Sequence, residues 1–294
     1  MASLKEIRLR IGSVETTRQI TSVMKMTSAA KFQKVNLATT HYQTYANRLE
    51  WLAARVVVQQ EQPPLLARER EGNNGRRVVV CIASQQGMCG AYNANICKET
   101  LRHIRKHCAD ALKNKKLELY YIGQKAVSYF SDLAVPGNLT YLKLLQGFPS
   151  KKTNREILDR WITAFLEGKI LSLDVAYSKS GGSQAIPEVV RLLPFRPAQQ
   201  PDSPKRHFGA IYEPDLETVT EKTLLAALHA KWHAMVSSSF KAEHEARMMA
   251  MGQATDNADR LLEELHLEYN QIRQSNITNE ILEIVNGAEA MNKR

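Results

Sequence analysis

Histidines offer the first candidate chemistry in this chain. The stretches HIRKH (103–107) and HAKWH (229–233) place His103 four residues before His107 and His229 four residues before His233. That spacing puts two imidazoles on one helical face, as in zinc enzymes carrying H-E-x-x-H. Neither stretch contains the glutamate that would serve as base. Arg105 and Lys106 in the first, and Lys231 in the second, would repel a cation, so surface histidines are expected. Cys81, Cys89, Cys97 and Cys108 lie close together but never as C-x-x-C, which suits neither a zinc site nor a disulfide framework. Reduced, structural thiols are expected. Ser, His and Asp are plentiful, but no G-x-S-x-G elbow occurs. In SQQGMCGAYN (84–93), Gly87 and Gly90 form a G-x-x-G pattern between a strand and a helix. The third glycine of a dinucleotide fingerprint and the Lys-Ser/Thr ending of a phosphate loop are both missing. These glycines are read as a tight turn that brings strand and helix close.

The elements that would carry such groups are visible in the composition. A chain of 294 residues with 44% hydrophobic content can build one large domain or two modest ones. No run of about 18 apolar residues could span a bilayer. The opening MASLKEIRLRI has no apolar signal core and no Arg/Ser-rich leader, so a bacterial-style cytoplasmic protein is expected, although a processed organellar form would look the same. The net charge of +10 suggests an acidic partner and leaves nucleic acid, lipid headgroups and an acidic protein open.

All ten prolines fall between Pro63 and Pro214, with eleven of the fourteen glycines in the same zone. Because proline stops helices and glycine weakens them, the chain divides into helix, mixed domain and helix. The expected division is an N-terminal coiled-coil helix over 1–60, a central domain over 76–195, a loop over 196–214 and a C-terminal coiled-coil helix over 215–294. Leu4, Ile7, Ile11 and Val14 repeat at the spacing of a coiled-coil seam. The seam lapses at Arg18 and Thr21 and recovers toward Leu49, Leu52 and Val56. The last segment gives Leu225, Leu228, Trp232 and Met235, then Leu262, Leu265, Tyr269 and Ile272, then Ile277, Ile281 and Ile284. Between these runs lies a small-residue window, ARMMAMGQATDN (246–257). Helices of this length, at about 1.5 Å per residue, exceed what the middle segment could cover, so they are expected to pair with each other and project. Residues 1–60 carry a net charge of +6 and residues 216–294 a net charge of −4, which favours antiparallel association.

In the middle, RRVVVCIAS (76–84) reads as a strand buried on both faces. A helix over 91–112, a strand over 117–123, a helix over 124–132, a strand over 139–145 and a helix over 153–169 follow, with strands over 172–180 and 186–195 and a solvated loop over 197–206. The alternation implies a Rossmann-like, mostly parallel sheet. The fold class is therefore α/β: an antiparallel coiled coil of long terminal helices plus a central Rossmann-like domain.

Several long motifs, in order, resemble one family over nearly the full length. They are IRLRIGSVETTRQITSVMKMTSAAKFQKV (7–35), GMCGAYN (87–93), YEPD (212–215), EARMMAMGQATDNADRLLEEL (245–265) and YNQIRQSNITNEILEIVNGAEA (269–290). The chain is similar to the gamma subunits of rotary F-type ATP synthases. The resemblance implies a central rotor shaft, one copy within a ring of three alpha and three beta subunits, above an epsilon-type subunit and the c-ring. It implies a proton-translocating complex at the cytoplasmic face of a bacterial inner membrane, with the chain peripheral and its membrane association indirect. It also implies no catalytic site, metal or cofactor in this chain: ATP, ADP and Mg would belong to the alpha and beta subunits.

By position in those motifs, Met24, Lys25, Arg247, Gln274, Thr278 and Glu280 are the expected beta-subunit contacts, and the polar windows at 18–34 and 246–258 are where the seam would give way to the ring. The apolar tail from Ile281 would turn within an apolar collar. Gln85 and Gln86 replace charged residues of the family pattern before Cys89, so any salt bridge made there is lost. Gly252 replaces a better helix former, at a local cost of about 1 kcal/mol. The regulatory cysteine insertion of chloroplast members is absent, so no thiol switch is expected.

Two other readings remain at this point. One is a basic coiled coil that binds nucleic acid, although its bases are neither interleaved with aromatics nor gathered into a basic fork. The other is a Rossmann-type enzyme with helical arms.

Overall fold

A computed structural model describes residues 3–70, 75–132, 138–142, 151–182, 184–196 and 210–292. The 197–206 loop and residues 143–145 of the expected third strand lie outside these residues. The chain forms two compact units, residues 1–28 with 248–294, and residues 29–247. Two long helices supply elements to both, α1 (Leu4–Val58) and α6 (Leu216–Asn292).

In the first unit the two helices pair antiparallel. Arg8 Nη2 donates to Tyr269 Oη at 2.8 Å, Arg18 Nη1 meets Asp259 Oδ1 at 3.1 Å, and the hydroxyls of Thr255 and Thr21 lie 2.9 Å apart. As one residue number rises, its partner's falls. Among the described residues of this unit, the buried apolar side chains are Ile7, Met251, Ala258, Leu262 and Leu265. The expected lapse at Arg18 and Thr21 does not occur as a loss of contact. Arg18 is half-buried and Thr21 and Ser28 are buried at the heptad positions that continue from Ile7, Ile11 and Val14. Small polar side chains replace large apolar ones and the seam keeps its register. Ile277, Ile281 and Ile284 are the reverse case: apolar, yet exposed.

The second unit is built on a five-stranded sheet. Its strands are β1 (Arg76–Ile82), β2 (Leu117–Ile122), β3 (Asn138–Leu142), β4 (Ile170–Ser180) and β5 (Ala185–Leu193), in the order β3-β2-β1-β4-β5. The first four run parallel and β5 pairs antiparallel with β4. β1 shows why a continuous apolar run was needed. Val78, Val80 and Ile82 enter one core, while Val79 and Cys81 enter another on the opposite face. The second of these cores is closed by α2 (Tyr92–His107), α3 (Ala109–Lys113) and α4 (Gln124–Asp132), through Ile96, Ile104, Ala111, Ala126 and Phe130. The first is closed by α5 (Lys151–Leu166), α6 and α1, through Leu158, Phe165, Leu228, Trp232 and Ala53.

Three expectations are corrected here. The helix expected over 91–112 breaks at Cys108, whose φ of −123° leaves the helical range. On α1 the seam includes Ala53, at 1% exposure, and not Leu52, at 36%. Heptad register, and not side-chain hydrophobicity, decides which faces inward. Nor do the terminal helices bury surface only on each other. Residues 232–239 of α6 are buried all round, because the helix lies on the sheet. Its serines allow that close approach: Ser178 N donates to Ser239 Oγ at 2.9 Å, and Ser238 Oγ donates back to Ser178 O at 3.2 Å. Asp215 caps the same helix by accepting from Thr218 N at 2.8 Å, which holds its carboxyl below the usual range.

Candidate functional site

The glycine turn follows β1 and precedes α2. Ser84 N donates to Asn93 Oδ1 at 3.0 Å and Ser84 Oγ donates to Gln86 O at 2.6 Å, so the two ends of the turn are tied together. Met88 and Gly90 both sit at positive φ, 60° and 57°. That conformation suits the glycine and strains the methionine. Two carbonyls of the turn face a cation of the same chain: Arg247 donates through Nη2 to Gln86 O at 2.9 Å and through Nε to Gly87 O at 3.3 Å. Arg247 Nη2 also pairs with Glu243 Oε1 at 2.9 Å. Burial pushes the Glu243 carboxyl up, against the guanidinium's opposing pull. Gln85 and Gln86 have exposed side chains, and Arg247 meets the turn through backbone carbonyls.

The residues expected to face a partner separate into two groups. Lys25, Gln274, Thr278 and Glu280 are exposed and Met24 is half-buried. The hydroxyl of Thr278 is spent on its own helix, donating to Gln274 O at 2.9 Å. Arg247 differs from that expectation. It is 5% exposed, and its guanidinium is committed to Gln86, Gly87, Glu243 and His244. Its neighbourhood comes from the glycine turn, some 160 residues earlier, which helix periodicity could not reveal.

The expectation of surface histidines is also corrected for three of the four. His233 is buried, 4.4 Å edge-on from Tyr42, and its Nδ1 lies 2.8 Å from Asn154 Nδ2. His229 is half-buried and meets Asp159 at 2.9 Å. His103 is half-buried with its Nε2 3.3 Å from Asp174 Oδ2, while His107 alone is exposed. Asp174 is fully buried and also accepts from Arg191 Nε at 2.8 Å. Burial opposes its charge, but His103 and Arg191 outweigh that and hold it below the usual range. Hydrogen bonds to Asp174 and Cys108 raise His103 to about 9. This cluster was missed in the sequence. The lone aspartate inside the apolar run SLDVAYSKS was its one available signal, since a charge at the centre of a buried strand requires a partner.

All four cysteines are free and buried. Burial pushes the Cys89 thiol up, and its contact with Cys81 does the same for Cys97. No described helix is long and apolar enough to cross a membrane.

The chain as a whole has counterparts among known proteins. The family model described as ATP synthase matches residues 3–291. The chain is 34% identical to the ATP synthase gamma chain of Cytophaga hutchinsonii, covering 99% of this chain and 100% of the relative. It is 36% identical to that of Flavobacterium psychrophilum, covering 99% of each. Among solved structures, a chain in the OSCP/F1/c-ring assembly of Euglena gracilis mitochondrial ATP synthase matches with a TM-score of 0.65 at 18% identity, over 98% of this chain and 94% of that one. The latter likeness bears on fold. The former two, with end-to-end coverage, bear on descent, and the chain belongs to the ATP synthase gamma chain family.

Proposed function

We infer that the chain is the central rotor shaft of an F-type ATP synthase, coupling ion-driven rotation to conformational cycling of catalytic beta subunits. The observation that carries this is the end-to-end match to ATP synthase gamma chains, which includes both terminal helices and the domain between them. The physics is a symmetry mismatch. One chain without threefold symmetry, inside a ring of three alpha and three beta subunits, presents a different face to each beta. A partner biases a conformational equilibrium only through differential affinity for its states. Turning the shaft exchanges those affinities among three nucleotide sites, and the coupling is reciprocal, so ATP hydrolysis turns the shaft. ATP, ADP and Mg bind the ring subunits, and this chain contributes no catalytic group.

Met24, Lys25, Gln274, Thr278 and Glu280 are the proposed beta contacts. Their availability supports this, since Lys25, Gln274, Thr278 and Glu280 are exposed on their helices. Arg247 acts from within: it fixes the 86–87 carbonyls and so the outer face of the turn, including exposed Met88. Exposed Ile277, Ile281, Leu282, Ile284 and Val285 suit an apolar collar, because non-directional contacts do not resist sliding. The remaining partners are an epsilon subunit and the c-ring. The chain is peripheral, at the cytoplasmic face of the inner membrane of a proton-translocating complex.

A nucleic-acid-binding coiled coil gains no support from the structure, since Arg8 and Arg18 of α1 are engaged by Tyr269 and Asp259. The test is assembly with cognate alpha and beta subunits. One copy of the chain should enter a six-membered ring and alter its ATPase rate. A ring whose composition and rate are the same with and without the chain rules out the shaft.

A further inference from the structure

We propose that His103, Cys108 and Asp174 form a binding site for one zinc ion. Each comes from a different place in the fold: His103 from the last turns of α2, Cys108 from the break between α2 and α3, and Asp174 from the middle of β4. One donor atom from each lies within 4.8 Å of the others. The sheet itself sets this convergence. Asp174 alternates with Leu173 and Val175, which enter the opposite core, so its carboxylate points with Ala176 to the α2 face. The break at Cys108 ends α2 there, and its thiol is fully buried.

The donor set selects the metal. Thiolate, imidazole and carboxylate together suit zinc, whereas magnesium and calcium take oxygen ligands. Tetrahedral zinc with bonds of about 2.0–2.3 Å needs donors about 3.5 Å apart. The His103–Asp174 separation of 3.3 Å meets this already, and the remaining contraction is about 1 Å. Three protein donors leave a fourth coordination position for water.

Arg191 does not preclude the ion. It grips Asp174 Oδ1 through Nε at 2.8 Å, while its contact with Oδ2 through Nη2 is longer, 3.3 Å, and is the one that gives way. Charge is conserved in the exchange: the zinc dication enters and two protons leave, one from the Cys108 thiol and one from the His103 imidazolium. Asp174 and Arg191 keep their charges throughout. Neither HIRKH nor the cysteine spacing shows this site, because Asp174 is 71 residues from His103.

The test uses the full-length chain, stripped with a chelator and titrated with zinc chloride by calorimetry and cobalt chloride by absorption. Expected are one equivalent of zinc, a thiolate-to-cobalt charge-transfer band, and no response to magnesium chloride. Cys108→Ser should abolish the band, and both Cys108→Ser and His103→Gln should weaken zinc binding beyond the roughly 10–100-fold that follows loss of a group that merely orients a ligand. Circular dichroism of the metal-free variants establishes that they are folded. If Cys108→Ser does not fold, His103→Gln alone decides the matter through its zinc affinity. Absence of saturable binding, a magnesium response equal to that of zinc, or zinc affinity unchanged in the folded variants overturns the site.

Discussion

Thr255 and Thr21 face each other across the paired helices with their hydroxyl oxygens 2.9 Å apart. The pair occupies heptad positions at which a coiled coil normally places large apolar residues. Each hydroxyl carries one hydrogen, and each also has a carbonyl within reach on its own helix, Met251 O at 2.8 Å and Arg18 O at 3.0 Å. One threonine therefore donates across the interface while the other donates to its own helix. The seam is small and polar here, which lets the backbones approach.

That closeness is testable by making the seam look more ideal. Thr21→Leu fits the heptad rule but overfills the space, and should destabilise the chain by about 1–3 kcal/mol in urea unfolding. Gly252→Ala should do the opposite. A Cβ there would meet Lys25 Cε at 3.6 Å, an ordinary contact, so helix propensity dominates and stability should rise by about 1 kcal/mol. If Thr21→Leu is stabilising, the helices are not closely packed at this level.

Arg247 carries a second prediction. Removing its guanidinium leaves the buried Glu243 carboxylate without its ion pair and the Gln86 carbonyl without its donor. Arg247→Ala should therefore cost about 3–5 kcal/mol in the isolated chain, with Arg247→Lys between it and the parent because it keeps the charge and loses the fork. Urea unfolding of the isolated chain measures this directly. A fully stable Arg247→Ala chain that failed only in the assembled complex would return Arg247 to the outward-facing group.

The central sheet was legible in the sequence because a stretch of strand buried on both faces is dominated by apolar residues, as VVVCI (78–82) of β1 is. The helical ends were legible from proline placement. Register was less so: choosing Leu52 over Ala53 followed hydrophobicity, when the inward position was set by the seven-residue repeat. Burial of Thr21 and Ser28 was illegible for the same reason, since small polar residues signal an interface only after the partner helix is in place. Asp174, which meets His103, and the Gly87 carbonyl, which meets Arg247, lie 71 and 160 residues away, beyond any local pattern. Gln274, Thr278 and Glu280 could be reached only through family resemblance, because exposed residues leave no trace in the packing of their own chain.

Gln274 separates contact from stability. Gln274→Ala changes an exposed helical position, so the isolated chain should keep its unfolding midpoint within about 0.5 kcal/mol of the parent. In the assembled complex the same change should lower the coupling of ATP hydrolysis to proton pumping. Unchanged coupling, measured in reconstituted vesicles, would remove Gln274 from the contact set.

His244 provides a pH signature. It is buried on α6 with Phe240 edge-on at a centroid distance of 4.5 Å, and Arg247 Nη1 lies 3.4 Å from its Nδ1. A guanidinium can only donate, so that nitrogen must accept and the ring must be neutral. Burial first, then the charges of Arg247 and Lys31, lower the ring from 6.5 to about 4. The charge of the neighbouring Glu243 is directed to Arg247. A depressed imidazole means that the unfolded chain binds the extra proton between pH 4 and 6.5. His244 thus costs no stability above about 6.5, and on acidification toward 4 it destabilises progressively, by a few kcal/mol at most. His244→Gln can still accept from Arg247 and cannot charge. The stability difference between the two chains should be constant above pH 6.5 and shift toward the variant as pH falls to 4. Urea unfolding at each pH measures it, and a difference independent of pH would mean that the folded ring is free to protonate.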